Sequence, residues 1–122
     1  MARFLRGAAA IVALVLSAGA VQGAGAIAIG ACGAYGYAYD LRTLAEAERA
    51  ALKRCHGRNC RVVATVRRGC TAFAVDAKDL CGAHGYAVGS RLAAAQNRAL
   101  QQCYAHGGKT CVIRAFACDA RN

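Results

Sequence analysis

One stretch of this chain occurs twice, and that repetition limits the fold more than any other feature. Its first copy runs from Cys32 to Cys70: Cys32-Gly33-Ala34, Gly36-Tyr37-Ala38, Leu44, Ala47, Ala51-Leu52, Cys55, Cys60, a valine-rich run and Cys70. The second reads Cys81-Gly82-Ala83, Gly85-Tyr86-Ala87, Leu92, Ala95, Ala99-Leu100, Cys103, Cys111, an apolar run and Cys118. All eight cysteines fall into matched positions, 32 with 81, 55 with 103, 60 with 111 and 70 with 118. Such dense matching is the signature of an internal duplication. The chain of 122 residues has room for one domain. A copy of roughly 45 residues cannot bury enough apolar surface alone, so the two must share a core.

Residues 1–23 stand apart from the repeats. Arg3 and Arg6 give a basic start, an uncharged Ala/Val/Leu/Ile run follows from Gly7 to Ala20, and Ala18-Gly19-Ala20 and Val21-Gln22-Gly23 are small-residue sites. This pattern reads as a secretory signal peptide cut near Ala20 or Gly23. The run is short for a bilayer span of about 20 residues, and no transmembrane segment is expected after cleavage. Residues 24–122 then form one domain of two repeats, 25–70 and 71–118. The expected location is secreted or periplasmic.

Eight cysteines in a small exported chain point to disulfides before metal. Pseudo-twofold symmetry asks for symmetric pairing. Either each copy closes its own bridges or equivalent cysteines join across the axis. Cys55–Cys60 and Cys103–Cys111 are the favoured local pairs, each clipping a helix end to the next strand. Cys32, Cys70, Cys81 and Cys118 are left to tie strand ends.

Within each copy the order is strand, strand, helix, strand. Gly25 to Gly30 alternates bulky and small residues, and Tyr35-Gly36-Tyr37-Ala38-Tyr39 sets three tyrosines on one face against Gly36 and Ala38 on the other. The small face admits a helix at close range. Thr43-Leu-Ala-Glu46 matches a capping box. Leu44, Ala47, Ala51, Leu52 and Cys55 make one thin apolar stripe up to about Cys55. Arg61 to Arg67 is the third strand. In the second copy, Thr71 to Val75 is a strand, Asp76 to Leu80 a longer hairpin loop, Gly85 to Val88 a strand and Ser90 an N-cap. Ala105 to Lys109 is a lengthened turn, and Val112 to Ala117 is the last strand. The predicted class is α+β: a duplicated ββαβ unit, a mainly antiparallel sheet of about six strands, two helices and disulfide staples.

Gly25-Ala-Ile-Ala, Gly36-Tyr37, the helix from Ala45-Glu46 through Ala50-Ala51-Leu52 to Cys55, Cys60-Arg-Val-Val and Cys70-Thr-Ala-Phe-Ala-Val carry a family resemblance. With the second helix of the same kind, this set resembles the bacterial family known as domain of unknown function 4189, over Gly25 to Cys118. The resemblance implies a small exported domain. It transfers no catalytic residues, because the family carries no established enzymatic mechanism. Cys32 and Cys81 depart from its pattern and imply an extra symmetric bridge. Ala94, Gln96 and Asn97 replace the usual acidic residues of the second helix.

Enzyme readings lack a site. After signal removal Ser90 is the only serine, which disfavours a Ser-His-Asp arrangement. The histidines are His56, His84 and His106, and His56 and His106 sit in turns between cysteines that bridging would consume. The Cys-x4-Cys and Cys-x7-Cys spacings are not zinc knuckles. Asp76 and Asp79 flank Lys78 and make a poor calcium site. No cofactor or metal is expected. Charge speaks for binding instead. The 16 Lys+Arg, less Arg3 and Arg6, leave 14 against 6 Asp+Glu, a net +8 that favours anionic partners. Tyr35, Tyr37, Tyr39 and Tyr86, edged by Arg61 and Arg67, form the candidate surface. The expected activity is binding a protein or an anionic envelope polymer, with no specific nucleic-acid readout. The alternative is a secreted inhibitor or host-directed effector.

Overall fold

A computed structural model describes residues 23–119. The signal peptide expected over residues 1–23 lies outside these residues but for Gly23. The elements are β1 (Ala24–Ile29), β2 (Tyr35–Leu41), α1 (Leu44–Arg54), β3 (Arg61–Arg67), β4 (Cys70–Asp76), β5 (Asp79–Gly89), α2 (Leu92–Ala105) and β6 (Cys111–Cys118). A short 3-10 turn, Ala31–Gly33, joins β1 to β2. The class is α+β with two ββαβ units, and all six strands pair antiparallel. They form two three-stranded sheets, ordered β2-β1-β3 and β5-β4-β6.

Alternation along the central strands explains the layering. Ala24, Ala26 and Ala28 of β1 turn to α1, where Ala47 and Ala51 meet them. Ile27 and Ile29 turn the other way, onto Phe73 and Val75 of β4 and Ala115 of β6. In β4, Cys70, Ala72 and Ala74 face Ala95, Ala99 and Cys103 of α2. Small residues thus line both helix–sheet layers, and bulky ones fill the space between the sheets. The order is helix, sheet, sheet, helix, and the middle layer is the core the two repeats share.

Both local bridges form as expected, Cys55–Cys60 and Cys103–Cys111. The remaining four cysteines join equivalent positions, Cys32 to Cys81 and Cys70 to Cys118. Thr43 caps α1, accepting from the Glu46 N–H at 3.1 Å. The N-cap of α2 is Arg91, one residue beyond Ser90, and it provides no side-chain cap. The expected loop at Asp76–Leu80 is instead a tight turn, because β5 begins at Asp79. Of the turn expected at Ala105 to Lys109 only Ala105 is helical, because α2 runs three residues further than α1 at this end, 14 residues against 11. Leu52 departs from its stripe and is 40% exposed. No helix among the described residues is long and apolar enough to cross a membrane.

Candidate functional site

The tyrosines of β2 owe their position to what lies behind them. Gly36 is buried against α1, so the alternate residues must face the opposite sheet. Tyr35, Tyr37 and Tyr39 form a ladder along that face. Neighbouring rings lie 6.3 and 6.2 Å apart, tilted by only 10° and 16°. Tyr35 packs into the inter-sheet core, whereas Tyr37 and Tyr39 are 36% and 50% exposed. β2 is an edge strand, and β6, an edge of the other sheet, faces it.

β6 answers the ladder with a bulge. Ala115 pairs with Phe73 and Ile113 with Ala74, which leaves Arg114 as the extra residue. Bulges re-aim side chains. The Arg114 guanidinium lies 5.6 Å from the Tyr35 ring centroid, and its Nε donates to the Gly33 carbonyl at 2.9 Å. A cleft of about 420 Å³ opens between the ladder and the Ile113–Cys118 stretch. A second groove of about 390 Å³ runs along the ladder's other side, where Arg54 joins Tyr35, Tyr37 and Tyr39. Arg54 Nη1 donates to the Tyr37 carbonyl at 3.0 Å, which also covers an edge that would otherwise invite strand addition. Both arginines are anchored by neutral carbonyls, and neither pairs with a carboxylate among the described residues.

The duplication supplies an internal comparison. By register, His84 takes the place of Tyr35, Tyr86 of Tyr37, Val88 of Tyr39 and Val63 of Arg114. Both bulges recur, at Val63 and at Arg114, yet only one carries a cation. At the second edge Gln102 Oε1 accepts from the Tyr86 N–H at 3.1 Å, and Tyr86 stacks on His84 at 6.5 Å. The scaffold can therefore be built without a tyrosine ladder or an arginine at the bulge.

The expected surface is thus divided. Tyr35, Tyr37 and Tyr39 are together, but Tyr86 belongs to the other edge. Arg61 pairs with Ile29 on the far side of β1 from Tyr35. Arg67 pairs with Ala24, whose side chain faces α1. Neither edges the ladder, because β1 lies between β2 and β3. Arg114 and Arg54 take the part expected of them. Arg114 had a signal, as the one cation in the apolar run Val112–Ala117.

All eight cysteines are bridged. No curated protein and no solved structure matches the chain. Residues 24–118 match the family model described as Domain of unknown function (DUF4189). Because that match spans all six strands, both helices and every cysteine, the chain belongs to the DUF4189 family.

Proposed function

We propose that this protein is an exported, non-enzymatic binding module that takes an extended anionic envelope polymer along the Tyr35–Tyr37–Tyr39 cleft. The observation that carries the reading is the asymmetry between the two edges. A duplicated scaffold has kept its bulges and glycines in both halves, but arranged a tyrosine ladder between two carboxylate-free arginines in only one. Exposed rings give stacking area, and the arginines give attraction to acidic groups. The net charge of +8 left once Arg3 and Arg6 depart with the leader supports the same partner at longer range. Four disulfides suit an oxidising compartment.

The test is titration with a uronic-acid polysaccharide, a neutral polysaccharide of similar length and polyglutamate. The uronic-acid polymer should bind, and more weakly as ionic strength rises. Tyr39→Ala should weaken it about tenfold, as expected for about 1.4 kcal/mol of lost stacking and cation contact. Its thermal midpoint should stay put, because the ring is half exposed. Equal binding of the neutral polymer, or unchanged affinity in Tyr39→Ala, would sink the proposal. Preference for polyglutamate would transfer the cleft to an acidic protein segment.

A further inference from the structure

Where β1 begins, the fold holds a buried carboxylate with one oxygen unused. Asp119 follows β6 and is 1% exposed. Its N–H donates to the Gly69 carbonyl at 2.7 Å, and its Oδ2 accepts from the Arg68 N–H at 3.0 Å. These bonds pin the side chain to the β3–β4 turn. Its Oδ1 has no hydrogen-bond partner, alone among buried side-chain N and O atoms of the described residues. A buried acceptor in that state is an open site in search of a donor.

That oxygen is directed at Gly23. A Cβ placed on Gly23 would overlap Asp119 Oδ1 and lie 3.0 Å from Asp40 Oδ1. Two carboxylates, from β2 and from the segment after β6, therefore close on the α-carbon of Gly23, which offers Asp119 Oδ1 no N–H or O–H donor. A compact cation with several N–H groups suits the place. Gly23 is also the last residue of Val21-Gln22-Gly23, one of the two small-residue sites that a signal peptidase reads.

We infer that the chain is cut after Gly23 and that the new α-ammonium of Ala24 occupies the space between Asp119 and Asp40. Hydrolysis of the Gly23–Ala24 bond consumes one water. The carboxylate leaves with the leader, and the amine stays and is protonated. Ala24 is held in β1 by pairing with Leu41 and Arg67, and its nitrogen is bonded directly to Gly23, the residue that Asp119 and Asp40 close upon. Both Gly23 and Ala24 are buried in the folded chain, so the cut precedes folding. Cleavage after Ala20 would keep Gly23 wedged in the site and Asp119 Oδ1 unpaired. The inference is independent of what the tyrosine cleft binds.

Two carboxylates hold an ammonium in its charged form and raise its pKa above the ordinary α-amino range of about 7.7–8.0. The contact stabilises fully below the ordinary value and is lost as pH rises through the raised one. The test starts from the full chain expressed in an exporting bacterium. Intact mass of the exported protein should show a start at Ala24; a start at Val21 or an uncut chain overturns the inference. Acylation of the α-amine at neutral pH should be about tenfold slower in native than in denatured protein, equivalent to one unit of pKa. Asp119→Asn should restore ordinary reactivity. Should that variant not fold, the native-to-denatured ratio of the wild type carries the test alone. Equal rates overturn the docking even for a chain that starts at Ala24.

Discussion

At the scale of single residues, two glycines set how near each helix comes to its sheet. A Cβ on Gly36 would overlap the Ala51 carbonyl and lie 2.5 Å from the Cys55 nitrogen. On Gly85 it would overlap the Ala99 carbonyl and lie 2.6 Å from the Cys103 nitrogen. The obstacles are helix backbone, which cannot rotate aside, so the helix itself must move. Gly36→Ala and Gly85→Ala should each cost about 1–3 kcal/mol, the range for overpacking a tight layer. Urea unfolding measures this, and a midpoint unchanged in either variant would remove the close-approach account. The sequence carried this contact openly, since Gly36 and Gly85 match across the repeats and the facing helix stripes are alanine. Arg114 was less legible. Its identity is visible, but its aim depends on a bulge created by pairing with β4, which no local pattern announces.

At the scale of elements, the β4–β5 hairpin is tied to the turn before β6 through one carboxylate. Asp76 accepts from the Lys78 N–H at 2.9 Å and from the Lys109 N–H at 3.1 Å, and the Ala77 N–H donates to the Thr110 carbonyl at 2.8 Å. The Lys78 bond first and the Lys109 bond next hold the Asp76 carboxyl below the usual carboxylate range. A depressed pKa means that the folded state prefers the ionised form. The resulting stability is complete above the ordinary carboxylate pKa and is lost as pH falls through the lower folded value. The thermal midpoint should therefore drop in that acid window, and Asp76→Asn should flatten the drop. A variant with the wild-type acid profile would show that Asp76 does not make the link. The same hairpin shows why part of the chain misled at this level. Asp76-Ala-Lys-Asp has the composition of a loop, yet Asp76 pairs with Asp79 and the turn closes in two residues. Side-chain-to-backbone bonds across 33 residues hold it, and composition cannot report those. The Thr43 cap, by contrast, is local and was plain in the sequence.

At the scale of the whole molecule, the duplication makes the shared core predictable and leaves the facing of the strands open. Each repeat puts its first strand at the centre of its sheet, and this ordering carries Arg61 and Arg67 away from the tyrosines while bringing β6 to them. Nothing in the order of residues states which edge opposes which. The bridges are where this arrangement acquires a measurable consequence. Cys32–Cys81 and Cys70–Cys118 close 49 and 48 residues and join one repeat to the other. Cys55–Cys60 closes only 5 and stays within one repeat. Restriction of the unfolded chain grows with the logarithm of the closed loop, giving about 4 kcal/mol for the long bridges and about 2 kcal/mol for the short one. Cys32 and Cys81 are both exposed, so replacing them by serine removes the cross-link while leaving the packing of the core undisturbed. The Cys32→Ser/Cys81→Ser pair should therefore lose about twice the unfolding free energy lost by Cys55→Ser/Cys60→Ser, measured by denaturant titration under non-reducing conditions. The larger loss should come with a larger denaturant slope, because an unfolded chain freed of a long loop exposes more surface. Equal losses would mean that the two repeats hold together through the middle layer of Ile27, Ile29, Phe73 and Val75 alone, with the bridge between them adding no more than a local clip does.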